Sequence, residues 1–194
     1  MKVKICGITR VSDAQLAERL GADFIGVIFA EQSPRRVDPA TATQIGASLT
    51  SASLVGVFVE QDVAQVEKIA RCVGLAAVQL YRPPTRRPME VDYIQAIRVR
   101  DRDSLEAMNS LTPDYFLVDH YDDNMMGGTG QSFDWSLLPS QLDKVFLSGG
   151  ISEANARRAC ELKPYALDVC SSVEREPGIK DPAKLERFFE EVGR

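Results

Sequence analysis

Short apolar runs rich in β-branched residues alternate along this chain with longer amphipathic segments. The apolar runs lack the polar alternation of a half-exposed strand, which is typical of strands buried on both faces of a parallel sheet. They predict eight strands, over 3–6, 24–29, 54–59, 76–80, 93–99, 115–119, 144–148 and 166–169.

The segments between the predicted strands carry helix start and stop signals. Asp38 and Asp181 are each followed by a proline, which is well tolerated at the first helical position. We also expect Ser12 and Ser152 to open helices and Gly74 to end one. Strands and helices therefore alternate along the chain.

Eight strand–helix units predict an α/β fold, a single (βα)8 barrel covering residues 1–194. An open doubly wound sheet is the competing fold, but no Gly-x-Gly-x-x-Gly follows the first strand and no reversal of strand order is evident. The fourth unit is irregular. Its segment 81–88 contains three prolines and three arginines, so we expect the fourth helix to be missing or vestigial.

The composition argues against a nucleic-acid partner, a membrane span and a metal site. The 194 residues are 44% hydrophobic, enough for one cored domain, and a net charge of -5 with mixed signs argues against a nucleic-acid partner. No apolar run approaches the roughly 18 to 20 residues of a membrane helix, and the chain enters a strand at once without a signal-peptide pattern. One histidine and four scattered cysteines predict no metal site, reduced thiols and a cytoplasmic location.

Two reactive side chains end predicted strands. Cys6 ends the first strand and Asp119 ends the sixth, at the barrel rim where ligands bind. A thiol and a carboxylate there form a candidate base and acid, and Lys4, on the same strand face as Cys6, would favour its thiolate. Burial would raise the pKa of Asp119 towards neutrality. Core packing for Cys6 and a turn cap for Asp119 are the alternative interpretations.

Glycine- and serine-rich turns follow three predicted strands, over 127–130, 148–150 and 170–172. Barrels commonly hold phosphate on backbone N–H groups after strands seven and eight, so a phosphorylated small-molecule substrate is expected. Arg35, in the loop after the second strand, offers a planar fork to a carboxylate. The candidate binding residues in the turns are Gly128, Gly149, Gly150, Ser171 and Ser172.

Nearly the whole chain resembles the phosphoribosylanthranilate isomerases of tryptophan biosynthesis. The opening segment and the Gly-Gly-Thr-Gly turn that leads into Phe-Asp-Trp are the most specific matches. The matching segments are 3–9, 21–26, 33–35, 55–59, 77–80, 127–130, 133–135, 147–150, 168–169, 173–174 and 177–181.

The resemblance implies an Amadori rearrangement of N-(5-phosphoribosyl)anthranilate to 1-(o-carboxyphenylamino)-1-deoxyribulose 5-phosphate, without a metal or other cofactor. It assigns Asp119 as the general acid that opens the ribose ring and Cys6 as the general base that removes the C2′ proton. Arg35 would hold the anthranilate carboxylate. The turns after strands seven and eight would hold the phosphate, and Asp168 joins the substrate-binding residues.

The chain departs from the family pattern at several positions. Tyr81 replaces a histidine, Cys170 replaces a serine, Gln131 replaces a lysine, and Ser172 replaces a glycine of the phosphate loop. A serine at a position of positive φ would be strained. Two alternatives therefore stay open: a related enzyme for another phosphorylated amino sugar, and a non-catalytic binding module. The sequence also leaves monomer or homodimer undecided.

Overall fold

The computed structural model describes residues 1–88, 91–120 and 133–194. Eight parallel strands form a closed barrel in chain order, with the eighth paired to the first. The predicted (βα)8 barrel and all eight strands are thereby confirmed, with end points shifted by one residue in places. The strands are β1 Lys2–Ile5, β2 Phe24–Ile28, β3 Ser53–Phe58, β4 Ala77–Leu80, β5 Asp92–Val99, β6 Tyr115–His120, β7 Val145–Leu147 and β8 Ala166–Val169.

Alternate residues of each strand serve two different cores. Val3 and Ile5 of β1 belong to the large cluster between the strands and the surrounding helices. Inside the barrel, a smaller apolar cluster includes Leu117 and Phe146. Lys4 also points inside and is fully buried, as period-two alternation predicts. Both faces of the strands are therefore covered, which explains their unbroken hydrophobic runs.

The helices of the described residues differ in length around the barrel. The helices are α1 Val11–Arg19, α2 Pro39–Ala47, α3 Val63–Val73, α4 Asp103–Glu106, α5 Ala156–Glu161 and α6 Pro182–Glu191. Between β4 and β5 the described residues, 81–88 and 91, contain no helix. The prolines of this segment account for the loss, as the sequence predicts.

Two of the four predicted helix starts are correct. The side chains of Asp38 and Asp181 accept hydrogen bonds from the backbone N–H groups of Thr41 and Lys184 and cap α2 and α6. Gly74 ends α3 in the left-handed conformation, as predicted.

The starts predicted at Ser12 and Ser152 are wrong. Helix α1 begins after Arg10, which makes no side-chain cap hydrogen bond to the backbone; its guanidinium donates instead to the carboxylate of Asp13 in the first turn. Ser152 precedes a turn over 153–155, and α5 begins only after Asn155, whose side chain accepts from the Ser152 N–H.

A short antiparallel hairpin follows β8 and was not predicted from the sequence. Its strands are β9 Glu174–Glu176 and β10 Ile179–Lys180. The turn Ser171–Val173 that leads into it is a 3-10 helix. The hairpin places Glu174 and Lys180, both buried, beside the carboxyl end of the barrel. Among the described residues no helix combines the length and apolar character needed to span a membrane.

Candidate active site

A cavity of about 490 Å³ opens at the carboxyl ends of the strands. This is the end of a (βα)8 barrel where active sites lie. Cys6, at the end of β1, and Asp119, near the end of β6, both line it. The structure thus brings together the thiol and the carboxylate that the sequence singles out.

The cavity floor is a buried polar layer centred on Lys4. The Lys4 Nζ donates to Asp168 Oδ1 at 2.7 Å and to Gln79 Oε1 at 2.9 Å. Asp168 Oδ2 accepts from Ser148 Oγ at 3.1 Å. Burial opposes the charge on Lys4, but Asp168 and Cys6 hold its pKa above the ordinary value. The floor therefore places a buried cation, paired with Asp168, next to Cys6.

Asp168 lines the cavity, as expected of a binding residue. Both of its carboxylate oxygens already accept from Lys4 and Ser148. Its direct part in substrate binding stays a prediction.

Asp119 is a buried carboxyl group that meets no cation within contact distance among the described residues. Its Oδ1 accepts from the backbone N–H of His120 at 2.8 Å, and its Oδ2 lies 3.4 Å from the hydroxyl of Tyr81. Burial, reinforced by the negative charge of Asp168, raises the pKa of Asp119 to about 6. A carboxyl group with this pKa can donate a proton near neutral pH.

Gly149 makes the close packing around Asp119 possible. It has φ +78, and a Cβ built there would lie 2.6 Å from the His120 backbone nitrogen and 3.3 Å from Asp119 Oδ1. Only glycine fits both the conformation and the space.

Cys6 hydrogen-bonds to a second thiol, that of Cys170 at the end of β8. The strands β1 and β8 are paired up to Ile5 and Val169, so the two cysteines follow side by side. The bond with Cys170 and burial raise the pKa of Cys6 well above its ordinary value, although Lys4 opposes this. Lys4 favours the thiolate of Cys6, as expected, but burial and the bond with Cys170 outweigh its effect on the pKa.

Cys170 has the opposite tendency. The hydrogen bond from Cys6, together with the positive charges of Lys180 and Arg35, lowers the pKa of Cys170 to about 7 although burial opposes it. The Lys180 Nζ donates to Cys170 Sγ at 4.0 Å and to the Cys170 carbonyl at 3.0 Å.

Arg35 lines the cavity but is buried and bound to its own chain. Its Nε and Nη2 donate to Glu174 at 2.8 to 3.1 Å. Glu174 also accepts from Lys180 Nζ at 2.9 Å. We call these three residues the lateral ion cluster. Burial and the ion pair fix the Arg35 side chain, so it is not a solvated loop charge.

The turns after β7 and β8 border the cavity through Gly149, Gly150 and Ser171. Ser172 takes another course: it lies in the 3-10 helix, and its Oγ donates to the carbonyl of Ile151 at 2.6 Å. Its φ is not positive, so the strain expected of serine here does not arise. Gly128 lies outside the described residues.

Four residues of the site were missed or undervalued from the sequence. Cys170 ends an apolar strand just as Cys6 does, so the same signal was available. Tyr81 was noted only as a departure from a family pattern. Glu174 and Lys180 reach the site through the hairpin, and their charges carry no local signal of burial.

A family profile and individual relatives of the chain point to the same family. The family profile of N-(5'-phosphoribosyl)anthranilate (PRA) isomerase matches residues 3–191. An N-(5'-phosphoribosyl)anthranilate isomerase of Pseudomonas putida is 42% identical over 200 residues, covering 99% of this chain and 97% of the relative.

Solved structures resemble the whole barrel. The dimeric phosphoribosylanthranilate isomerase of Thermotoga maritima, studied as monomers, superposes with a TM-score of 0.87 at 33% identity, covering 99% of this chain and 98% of that one. A phosphoribosylanthranilate isomerase solved in complex with reduced 1-(o-carboxyphenylamino)-1-deoxyribulose 5-phosphate gives a TM-score of 0.83 at 31% identity, with the same coverage.

Proposed function

The chain belongs to the N-(5'-phosphoribosyl)anthranilate isomerase family and is an isomerase of tryptophan biosynthesis, and from this premise we propose that Asp119 and Cys6 are its general acid and general base. The observation that carries the proposal is that the two side chains line one cavity from strands on different sides of the barrel. A sugar lying between them can give up and receive protons at different atoms.

The first step needs an acid. Asp119 gives its proton to the ribose ring oxygen, the C1′–O bond breaks, and the anthranilate nitrogen supplies the electron pair that makes the protonated Schiff base. A pKa of about 6 supports this role, because a substantial fraction of Asp119 remains protonated near neutrality.

The second step needs a base. The thiolate of Cys6 removes the C2′ proton, and the electron pair moves to the iminium nitrogen to give the enolamine. Tautomerisation to the ketone then gives the product. The buried Lys4 beneath Cys6 supports an anionic sulfur at this point.

The remaining candidate residues would hold the two anionic ends of the substrate. Glu174 occupies Nε and Nη2 of Arg35, so we expect the anthranilate carboxylate to meet the guanidinium at its Nη1 edge alone. The phosphate would lie on backbone N–H groups of the turns at Gly149, Gly150 and Ser171. Ser172 would contribute through its backbone, since its hydroxyl is bonded to Ile151.

Single substitutions test the acid and the base. We expect Cys6→Ser and Asp119→Asn each to lower kcat for N-(5'-phosphoribosyl)anthranilate by about 10² to 10⁴-fold, the usual contribution of a general acid or base. Steady-state turnover and complementation of a tryptophan-requiring strain lacking the isomerase measure the loss.

Matched controls use the same substitutions away from the cavity. Cys160→Ser and Asp143→Asn are expected to keep full turnover, since neither residue lines the cavity. Turnover at the wild-type rate by a Cys6→Ser, Asp119→Asn double variant would remove the proposal.

Family membership makes the chain an enzyme, so the alternative of a non-catalytic binding module is dropped. Among the described residues that line the cavity, none favours another phosphorylated amino sugar over the family substrate. Cytoplasmic location and the choice between monomer and homodimer remain predictions. The dimer named for the Thermotoga maritima relative makes sedimentation of the purified chain the direct test.

A further inference from the structure

We propose that Cys170 is a positioning residue of the reaction: its sulfur accepts the proton of Cys6 along their hydrogen bond and so generates the thiolate that removes the C2′ proton. We call the two residues the thiol dyad. The inference rests on the proposed role of Cys6 and adds the group that activates it.

Strand pairing puts the dyad together. The ladder between β1 and β8 matches Lys4 with Asp168 and Ile5 with Val169, and the Cys6 N–H continues it by donating to the Val169 carbonyl at 2.8 Å. Cys6 and Cys170 are the next residues of the two strands and both line the cavity. Adjacent parallel strands lie about 4.8 Å apart, within reach of a thiol–thiol contact.

Two glycines leave room for the sulfurs of the dyad. A Cβ on Gly26 would lie 2.8 Å from Cys6 Sγ, and a Cβ on Gly7 would lie 2.9 Å from Cys170 Sγ. A side chain at either glycine would therefore displace one of the two sulfurs.

The charges around the dyad favour one negative charge on its Cys170 side. Lys180 and Arg35 face Cys170 from the hairpin and the loop after β2, with Glu174 between them. On the Cys6 side, cationic Lys4 is balanced by Asp168. Among the described residues, Tyr81 also interacts with both thiols through charge, and Asp119 lines the same cavity.

The proton balance of the proposed step is complete. At rest Cys6 is a thiol that donates to the Cys170 thiolate. When the cationic Schiff base forms above Cys6, it draws the negative charge towards itself, so the Cys6 proton moves to Cys170 and the C2′ proton moves to Cys6. The products are two thiols and a neutral enolamine, and the charge is conserved.

Titration of the thiols tests the dyad without any turnover. In a Cys72→Ser, Cys160→Ser background only Cys6 and Cys170 remain, because the chain has four cysteines. Ultraviolet thiolate absorbance is expected to show one thiolate forming with a midpoint near pH 7. Adding Cys170→Ser should raise the first midpoint by roughly one pH unit or more, since coupled groups titrate as a pair.

The reciprocal variant and a folding check complete this experiment. Cys6→Ala should also raise the midpoint of the remaining Cys170, because the hydrogen bond that favours its thiolate is lost. Cys170→Ala and Cys170→Ser should unfold in urea close to the parent. An unchanged midpoint near pH 7 after Cys170→Ser would overturn the proposal.

The pH profile of kcat/KM links the dyad to catalysis. With the pKa of Asp119 at about 6 and that of Cys170 at about 7, the profile should be flat between these values and fall on both sides. The active form needs protonated Asp119 and an anionic dyad at the same time. The protonated fraction of Asp119 falls above about pH 6, and the anionic fraction of the dyad stops rising above about pH 7. The lower break therefore reports Asp119 and the upper break reports the dyad.

In Cys170→Ser the upper break should move up by roughly one pH unit, the lower break should stay, and the plateau should fall about tenfold. Loss of turnover in Cys6→Ser together with an unchanged Cys170→Ser profile would disprove the dyad alone. Full turnover in Cys6→Ser would instead disprove the base itself.

Discussion

Asp119 and Glu174 are both buried carboxylates at the carboxyl end of the barrel, yet their surroundings are opposite. Glu174 meets two cations, Arg35 and Lys180, and accepts from the Gly178 N–H as well. Asp119 has two neutral donors and lines the open cavity. Burial raises the pKa of Asp119 to about 6, whereas for Glu174 the two cations outweigh burial and lower the pKa.

The difference separates a reactive group from a structural one. A carboxylate clasped by two cations keeps its charge and ties the hairpin to the barrel. A carboxyl group buried without a cation titrates close to neutrality and can exchange a proton with substrate. Asp119 and Glu174 are both buried carboxylates, and their different neighbours give one a reactive role and the other a structural role.

The two groups also give stability opposite pH dependences. A lowered pKa in the folded state stabilises the fold above the ordinary value of 4.5, and this contribution is lost as the pH falls below it. A raised pKa costs stability: for Asp119 the loss develops as the pH rises from 3.8 to about 6.

The largest effect is expected from removing the charge of the lateral ion cluster. Glu174→Gln leaves two buried cations facing each other without a counter-charge, and we expect about 3–5 kcal/mol of lost unfolding free energy in urea. Glu176→Gln, on the exposed part of the same hairpin, should change it by less than about 0.5 kcal/mol. Equal stabilities for the two variants would contradict the structural role of Glu174.

Neutralising Asp119 should stabilise the fold, whereas neutralising Glu174 should destabilise it. A change in pKa from 3.8 to about 6 corresponds to about 3 kcal/mol, so Asp119→Asn should be up to about 3 kcal/mol more stable than the parent at pH 8. At a pH below 3.8 the difference should vanish, because Asp119 is then protonated in both states.

Urea unfolding at the two pH values measures this gain, and Asp143→Asn serves as the exposed control. An Asp119→Asn protein no more stable than the parent at pH 8 would show that the carboxylate has a counter-charge in solution.

The smallest effect concerns the contact between Tyr81 and Asp119. The hydroxyl of Tyr81 favours the ionised carboxylate, so Tyr81→Phe should raise the pKa of Asp119 further. Loss of one hydrogen bond costs about 0.5–1.5 kcal/mol, which would move the lower break of the kcat/KM profile up by roughly half a pH unit to one unit.

Tyr115→Phe provides the matched control for Tyr81→Phe. Tyr115 stacks on Tyr165 inside the barrel and does not line the cavity. A profile that shifts equally in both variants would assign the effect to general loosening of the barrel.

Much of this architecture follows from the local sequence. Eight unbroken apolar runs predict parallel strands, because burial on both faces removes the need for polar positions. The prolines of 81–88 predict the missing helix, since they lack the N–H groups a helix requires. Cys6 and Asp119 stand at strand ends, and parallel strands of a closed barrel bring their carboxyl ends to one rim.

Which distant residues contact one another could not be predicted from the local sequence. Whether Arg35 binds a ligand or Glu174, and whether Cys6 or Cys170 is the more acidic thiol, depends on contacts across more than a hundred residues of chain. Closure of β8 onto β1 creates those contacts. The sequence by itself determined which segments form strands and which reactive side chains lie near their carboxyl ends. The tertiary structure alone decided which charges face each other, because a pKa depends on neighbours in space, not on neighbours along the chain.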